Sequence, residues 1–207
     1  MYNPAHFVES RPEVLRALVE QYPLATLVSP GGGELCVTHL PLLYCGDERI
    51  VLRGHMARAN HHWRDHAGSE ALAIFHGPQH YVSPSWYPSK IEHGKVVPTW
   101  NYVTVHVRGA LQFIHDTAWL LENVRALTNA QERHQPQPWS VDDAPKDYID
   151  KLLSAIVGVE LRVTSIEGKW KVSQNRPPED REGVIAALES RGALDMARLV
   201  RDYLGTA

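Results

Sequence analysis

Cysteine is scarce, with Cys36 and Cys45 the only two among 207 residues. If Leu35 to Tyr44 is one extended strand, they lie about 30 Å apart at about 3.3 Å per residue. A disulfide needs Cα atoms within about 7 Å, so the two are not expected to pair. Neither belongs to a CxxC pair, which argues against a structural zinc site on sulfur. A basic excess is also missing: 21 Lys and Arg face 24 Asp and Glu, a formal charge of −3. That argues against a generic polyanion binder. No run approaches the roughly 20 apolar residues of a membrane span. The start, MYNPAHFVESRPEV, lacks the basic-then-apolar order of a signal peptide. The expectation is a cytoplasmic protein with no membrane partner. There is no internal repeat, no low-complexity tract and no G-x-S-x-G elbow, and neither cysteine has the neighbourhood of an activated thiolate.

Apolar residues make up 43 % of the chain, enough to bury a core in one domain or one domain with a small appendage. Histidine stands out, with 12 against 3 Phe. Below about pH 6.5 these residues would turn the net charge positive. Ten of the 12 lie between His39 and His115.

Ser10-Arg11-Pro12-Glu13 reads as a capping box that opens a helix to about Gln21. Leu24 to Ser29 and Leu35 to Tyr44 read as a hairpin closed by Gly31-Gly32-Gly33. Gly46-Asp47 then turns into a strand at Ile50 to Arg53. Asn60 can cap a short helix, His61 to Ala67. Ala71 to Phe75 and His80 to Val82 are strand-like. Ser83 to Thr99 carries Pro84, Pro88, Gly94 and Pro98, too punctuated for regular structure, yet it keeps Trp86 and Tyr87. Tyr102 to Ile114 alternates as a long strand. Asp116 or Thr117 caps a helix to about His134, which Pro136 to Trp139 breaks. Asp147 to Ile156 is helical and Gly158 to Ile166 a strand. Glu167-Gly168-Lys169 reads as a turn into Trp170 to Ser173. Two helices follow the Pro177-Pro178 break, Glu179 to Ser190 and Ala193 to Tyr203, hinged at Gly192. The order lacks the strand–helix alternation of a parallel doubly wound sheet, so an antiparallel barrel with helices is expected.

Four segments hold the chemistry-bearing residues: GHMARAN (Gly54 to Asn60), YVSPSWY (Tyr81 to Tyr87), VPTWNY (Val97 to Tyr102) and KVSQNR (Lys171 to Arg176). A phosphate wants a cation, hydroxyls and backbone N–H groups, best at a helix start. His55, Arg58 and Asn60 precede a short helix, and Lys171 and Ser173 could add to them. Equally, Arg58 could pair a surface carboxylate and Asn60 serve only as a cap. A flat heteroaromatic ligand wants a stacking ring with polar groups at its rim. Trp86 and Trp100 stand beside Ser83, Ser85, Thr99 and Asn101, although both could be core or interface anchors. His62 and His66 share a helical face, as do His76 and His80 by spacing. The second pair is broken by Gly77-Pro78, and no Glu completes a zinc-protease pattern. No metal is expected. Haem on one of the histidines is a lesser reading.

Together with HLP (His39 to Pro41), GPQHYVSPSWY (Gly77 to Tyr87) and IVG (Ile156 to Gly158), these segments resemble the PaiB family, described as FMN-binding negative transcriptional regulators. The resemblance runs from Met1-Tyr2-Asn3-Pro4 to Gly183-Val184-Ile185, with Val172 where a Leu is expected. It implies an α+β fold, an antiparallel split β-barrel of the FMN-binding type with peripheral helices. Residues 1–175 would form the barrel domain and 176–207 a C-terminal helical pair packed on it. It also implies a homodimer with FMN at the subunit interface. By motif position, Arg58 with His55 and Asn60 falls to the flavin phosphate. Ser83, Ser85, Trp86, Thr99, Trp100 and Asn101 fall to the ring or ribityl chain. Lys171, Ser173 and Gln174 approach from the late strand.

The regulatory label is a separate matter. The likeliest DNA-reading element, Glu179 to Tyr203, carries Arg181, Arg191, Arg198 and Arg201. Against these stand Glu179, Asp180, Glu182, Glu189, Asp195 and Asp202. Four positive charges against six negative do not make a phosphate-seeking face. Three readings follow: a flavin protein acting as an oxidoreductase or redox-responsive regulator, a DNA-binding repressor with a vestigial flavin site, and a haem-binding or haem-degrading split barrel. His80 is the nearest candidate for acid–base work. The sequence names no substrate and no electron donor.

Overall fold

The computed structural model describes residues 1–31 and 34–203, so Gly32 and Gly33 of the expected glycine turn lie outside the described residues. The elements are β1 (Val8–Glu9), α1 (Pro12–Gln21), β2 (Leu24–Gly31), β3 (Glu34–Pro41), β4 (Leu43–Cys45), β5 (Val51–Ala57), α2 (His62–Asp65) and β6 (Glu70–Val82). They continue with α3 (Ser89–His93), β7 (Thr99–Ile114), α4 (Thr117–Glu132), α5 (Lys146–Ser154), β8 (Ile156–Lys171), α6 (Pro178–Ser190) and α7 (Leu194–Asp202). The hydrogen-bonded strand order is β3-β2-β6-β7-β8-β5-β4, with β1 also on β8. The fold class is α+β, an antiparallel sheet of the split-barrel type. No helix among the described residues is long and apolar enough to cross a membrane.

Two compact units form. The first comprises residues 1–15, 76–105 and 167–207, and the second 16–75 and 106–166. The long strands β6, β7 and β8 each contribute to both. The C-terminal helical pair groups with the first unit.

In the second unit β2 pairs with β3 from Leu24↔Pro41 to Gly31↔Glu34. It also pairs with β6 from Ala25↔Phe75 to Val28↔Leu72. β5 pairs with β8 from Val51↔Arg162 to Ala57↔Ile156. Alternation puts Ala25, Leu27, Leu52, Phe75, Val107, Leu111 and Leu161 in the core. Asp116 caps α4 by accepting the Trp119 N–H at 2.8 Å. The expected strand Leu35 to Tyr44 is two strands, because the chain breaks at Leu42. The Leu42 N–H turns to the Pro23 carbonyl at 2.9 Å, its side chain is buried, and β4 then pairs with β5. Both cysteines are free.

In the first unit the core is built from Phe7, Val82, Tyr87, Val103, Trp170, Val184 and Leu188, among others. Helix α1 starts at Pro12 rather than at Ser10, because Glu9 takes the Arg11 N–H at 2.9 Å and pairs with the Arg11 guanidinium. Gly192 adopts φ +73°, a left-handed hinge between α6 and α7.

Two expected breaks are absent. Strand β6 is continuous through His76-Gly77-Pro78. Its ladder with β2 ends at Phe75, so the missing Pro78 N–H costs no bond to that strand. Strand β8 is continuous through Glu167-Gly168-Lys169. Gly168 is needed there for close approach: a Cβ would lie 2.3 Å from Leu15 Cδ2, 2.8 Å from the Glu9 carbonyl oxygen and 2.9 Å from the Trp170 ring.

A polar network crosses the second unit. His62 is buried, with Nε2 2.6 Å from Ser29 Oγ and Nδ1 2.8 Å from Thr38 Oγ1. Asn60 Nδ2 donates to Thr38 Oγ1 at 3.0 Å, and its Oδ1 accepts the His62 N–H at 3.0 Å. Burial, helped by the neighbouring His66, pushes the His62 pKa down from 6.5 to about 4.

Two outcomes are expected. Gly168→Val forces side-chain volume against backbone and should cost about 1–3 kcal/mol or more in urea unfolding. An unchanged midpoint would show that β8 does not need the close approach. His62 binds its proton less readily folded than unfolded. Its contribution, up to about 3 kcal/mol, is therefore present above pH 6.5 and lost as pH falls toward 4. Urea midpoints between pH 7.5 and 4.5 should fall along that window and flatten in His62→Gln; equal slopes in both proteins would remove His62 as the cause.

Candidate functional site

Of the twelve candidate residues, His55, Arg58 and Asn60 belong to the second unit and the other nine to the first. On β5, His55 has a buried Nδ1 without a partner among the described residues, and burial lowers its pKa. Arg58 follows the strand. Its Nε donates to the Ser154 carbonyl and its Nη2 to the Ile156 carbonyl, both at 2.8 Å. Nη1 lies 3.4 Å from His115 Nδ1. The guanidinium thereby clasps the junction of α5 and β8, and only its Nη1 side is left for an anion. Asn60 starts α2 through the bonds to Thr38 and His62 described above. Trp63 Nε1 donates to the Arg58 carbonyl at 2.9 Å and meets His115 edge-on at 5.2 Å. These three candidates thus sit on one stretch of chain, each with a structural contact of its own or, for His55, an open nitrogen.

The first unit brings most of its nine together. The start of β7 lies beside the end of β8, and Lys171 Nζ donates to Thr99 Oγ1 and, at 2.7 Å, to the Trp100 carbonyl. Burial, with repulsion from Lys169 and Arg176, lowers the Lys171 pKa. Asn101 Nδ2 donates to Ser173 Oγ at 2.9 Å, both residues being buried. Ser173 has φ +65°, the only non-glycine in the left-handed region among the described residues. Such strain persists where the surroundings hold it, here the Asn101 bond. Gln174 closes the turn on its own backbone, accepting the Val172 N–H at 2.8 Å and donating to the Trp170 carbonyl. Trp100 is half exposed; its Nε1 donates to Gln79 Oε1, and the Tyr81 ring meets it edge-on at 6.0 Å.

The aromatic segment is built differently. Ser83 Oγ accepts the Ser85 N–H at 3.2 Å and so caps the turn Pro84–Trp86. Lys90 Nζ donates to Ser85 Oγ at 3.1 Å. Arg191 stacks over the Trp86 ring at 4.7 Å, and Arg176 over the buried Tyr87 ring at 4.9 Å. The Tyr87 hydroxyl is buried, with the Arg176 guanidinium beside its ring. Helix α6 presses on this segment. A Cβ at Gly183 would lie 2.0 Å from the Trp86 carbonyl oxygen. Buried Asp180 accepts from Ser89 N at 3.1 Å and from Ser89 Oγ at 2.7 Å. The segment expected to be irregular therefore contains the short α3, ended by Gly94 at φ +67°.

Several functional candidates escaped the sequence reading. Arg176 stands in the KVSQNR motif and was within reach of it. Lys90, Asp180 and Arg191 carry no motif and become visible only through their contacts. Lys90, Lys169, Lys171, Arg176 and Arg191 form no ion pair with a carboxylate among the described residues. In a chain of net charge −3 this is a local store of unpaired cations, held by hydroxyls, carbonyls and ring faces. The arrangement can bind an anion next to a half-exposed aromatic ring.

The family model described as "Putative FMN-binding domain" matches residues 1–165. The protease synthase and sporulation protein PAI 2 of Bacillus subtilis is 32 % identical over 99 % of this chain and 98 % of its own. An uncharacterised protein of Emericella nidulans is 30 % identical over 93 % of this chain and 92 % of its own. Among solved structures, the FAD and heme binding protein of Mycobacterium smegmatis superposes with a TM-score of 0.61 at 18 % identity, covering 87 % of this chain and 79 % of that one. The flavocytochrome Anf3 of Azotobacter vinelandii gives 0.56 at 14 % identity, covering 79 % of this chain and 69 % of that one. These structural likenesses concern the fold. Family match, near-full-length relative and fold agree: the chain belongs to the PaiB family of FMN-binding-domain proteins.

Proposed function

We propose that the protein binds FMN through its first-unit group, and that two copies pair so that the flavin lies at their interface. The observation that carries this reading is the set of cations without carboxylate partners around Lys171, beside the half-exposed Trp100 ring. The donor set fits the cofactor. A phosphate monoester calls for cations and hydroxyls, supplied by Lys90 with Ser85 and by Arg176. A flat ring with polar rim atoms calls for an aromatic face and N–H donors. Trp100 supplies the face, and Lys171 has one N–H beyond the two it gives to Thr99 and Trp100.

When bound, FMN supplies one- and two-electron redox chemistry. The residues' part is to bind and orient. Lys171 holds positive charge at a fixed point, because Thr99 and the Trp100 carbonyl fix its ammonium. Asn101 holds Ser173 in its left-handed conformation, which sets the direction of the turn to Arg176. His80 is the nearest group able to hold or pass a proton; its ring lies 5.9 Å from that of Trp86. Regulation of transcription would fit a flavin-dependent change of state better than direct DNA reading, since the C-terminal helices are acidic. Redox turnover by a nicotinamide donor is the alternative use of the same site.

FMN titrated into the purified chain should quench flavin fluorescence with one site per chain. Lys171→Met should weaken binding about 10- to 100-fold, the value of a charge-assisted hydrogen bond, with the fold retained by circular dichroism. Sedimentation should give twice the chain mass. A protein that takes up no FMN would overturn the reading, and a Soret band on haem addition would favour the haem alternative. Reduction of the bound flavin by NADH or NADPH would separate an oxidoreductase from a sensor.

A further inference from the structure

Strand β8 outruns its partner in the second unit. The β5–β8 ladder ends at Val51↔Arg162, with one further bond from the Val163 N–H to the Ile50 carbonyl at 3.1 Å. Beyond it β8 continues through Thr164, Ser165 and Ile166. A cleft of about 740 Å³ opens there, between Glu48–Val51 on one side and Arg162–Ile166 on the other. That is within the range of small-molecule sites, roughly 300–1,000 Å³. None of the twelve flavin candidates lines it.

Its floor is rigid. A Cβ at Gly109 would lie 2.2 Å from the Arg162 carbonyl oxygen and 3.1 Å from Val163 Cα, so β7 lies hard against β8 at this point. The cleft's charges are Arg49, Arg162 and Glu48. Arg49 is exposed and makes no ion pair among the described residues. Arg162 reaches Glu160 only through Nε, at 3.4 Å. Glu160 is itself taken by Arg53 at 3.0 Å, which leaves the Arg162 Nη groups for another acceptor. The Thr164 hydroxyl donates to the Arg108 carbonyl at 3.2 Å. Val51, the cross-strand partner of Arg162, and Ile166, on the same face of β8 by alternation, supply apolar wall.

We infer that this cleft is a second binding site, distinct from the flavin residues, for a small monocarboxylate with an apolar tail. Two guanidinium groups receive the carboxylate, in the fork geometry that arginine favours. Glu48 brings the lining to one net positive charge, which matches a monoanion and works against multiply charged phosphates. The apolar wall takes the tail. The site depends on no property of the flavin, so its occupancy can be read with or without FMN.

The test is an amide NMR titration of the full chain with hexanoate, and in parallel with inorganic phosphate. Hexanoate should shift the amides of Arg49, Ile50 and Val163 to Ile166 with a single saturating curve. Arg49→Glu should weaken it at least 10-fold and Arg162→Gln several-fold, both at exposed positions. Phosphate should bind at least 10-fold more weakly than hexanoate. Shifts elsewhere, an unchanged affinity in Arg49→Glu, or phosphate binding as tightly as hexanoate would each overturn the inference.

Discussion

Lys171 stands beside Thr99 only because β8 stays extended through Gly168. The strand is continuous over 16 residues from Ile156 to Lys171, and its last residue lies beside the start of β7. The constraint is steric. Leu15, the Glu9 carbonyl and Trp170 all occupy the volume that any side chain at position 168 would need. The backbone approach that this permits then fixes which groups meet. Lys171 finds a hydroxyl and a carbonyl, and Ser173 finds Asn101. The left-handed serine is strained, and a buried hydrogen bond to an equally buried partner offsets that strain.

The electrostatics follow from the same geometry. Several arginines meet carboxylates, as Arg53 and Arg162 do at Glu160, Arg16 at Glu20 and Asp47, and Arg11 at Glu9. In the first unit Lys169, Lys171, Arg176 and Arg191 meet carbonyls and ring faces instead. Such partners orient a cation without neutralising it. Burial and the neighbouring Lys169 and Arg176 make protonation of Lys171 harder, which is the condition an incoming anion relieves. Histidine, conspicuous in composition, divides by burial. His62 has both ring nitrogens engaged and reads as core, whereas His80 and His115 remain at the surface.

Period and punctuation made much of the fold legible. The alternation of Val103, Val105, Val107 and Leu111 marks a strand, and all four are buried in β7. Asp116 caps α4, and Gly192 hinges the last two helices. Glu167-Gly168-Lys169 misled because a glycine between charged residues has the composition of a turn, while its role here is close approach to groups far away in sequence. Pro78 misled similarly, since its cost depends on whether a neighbouring strand needs the missing N–H. At the candidate site the motifs placed Thr99, Asn101, Lys171 and Ser173, which pair with one another in space. The two backbone carbonyls held by Arg58 have no side-chain signal at all. Asp180 lies in α6 and Arg191 directly after it, in sequence that carries no motif.

That helix bears on the regulatory label. Three of the four arginines that could have faced nucleic acid have partners within the first unit. Arg181 donates to the Val200 carbonyl, Arg191 lies over Trp86, and Arg201 pairs with Glu189. Asp180 is spent on Ser89, and Gly183 lets the helix backbone press on Trp86. The pair α6–α7 is thus a buttress for the aromatic segment, with Asp180 and Arg191 engaged by that packing and Arg181 and Arg201 held within the helical pair. Asp180, Gly183 and Arg191 connect the Trp86–Tyr87 segment and its neighbour Ser89 to α6. Communication from a ligand site to an outer surface would then be mechanical, carried by packed contacts, and would need no DNA-reading face on these helices.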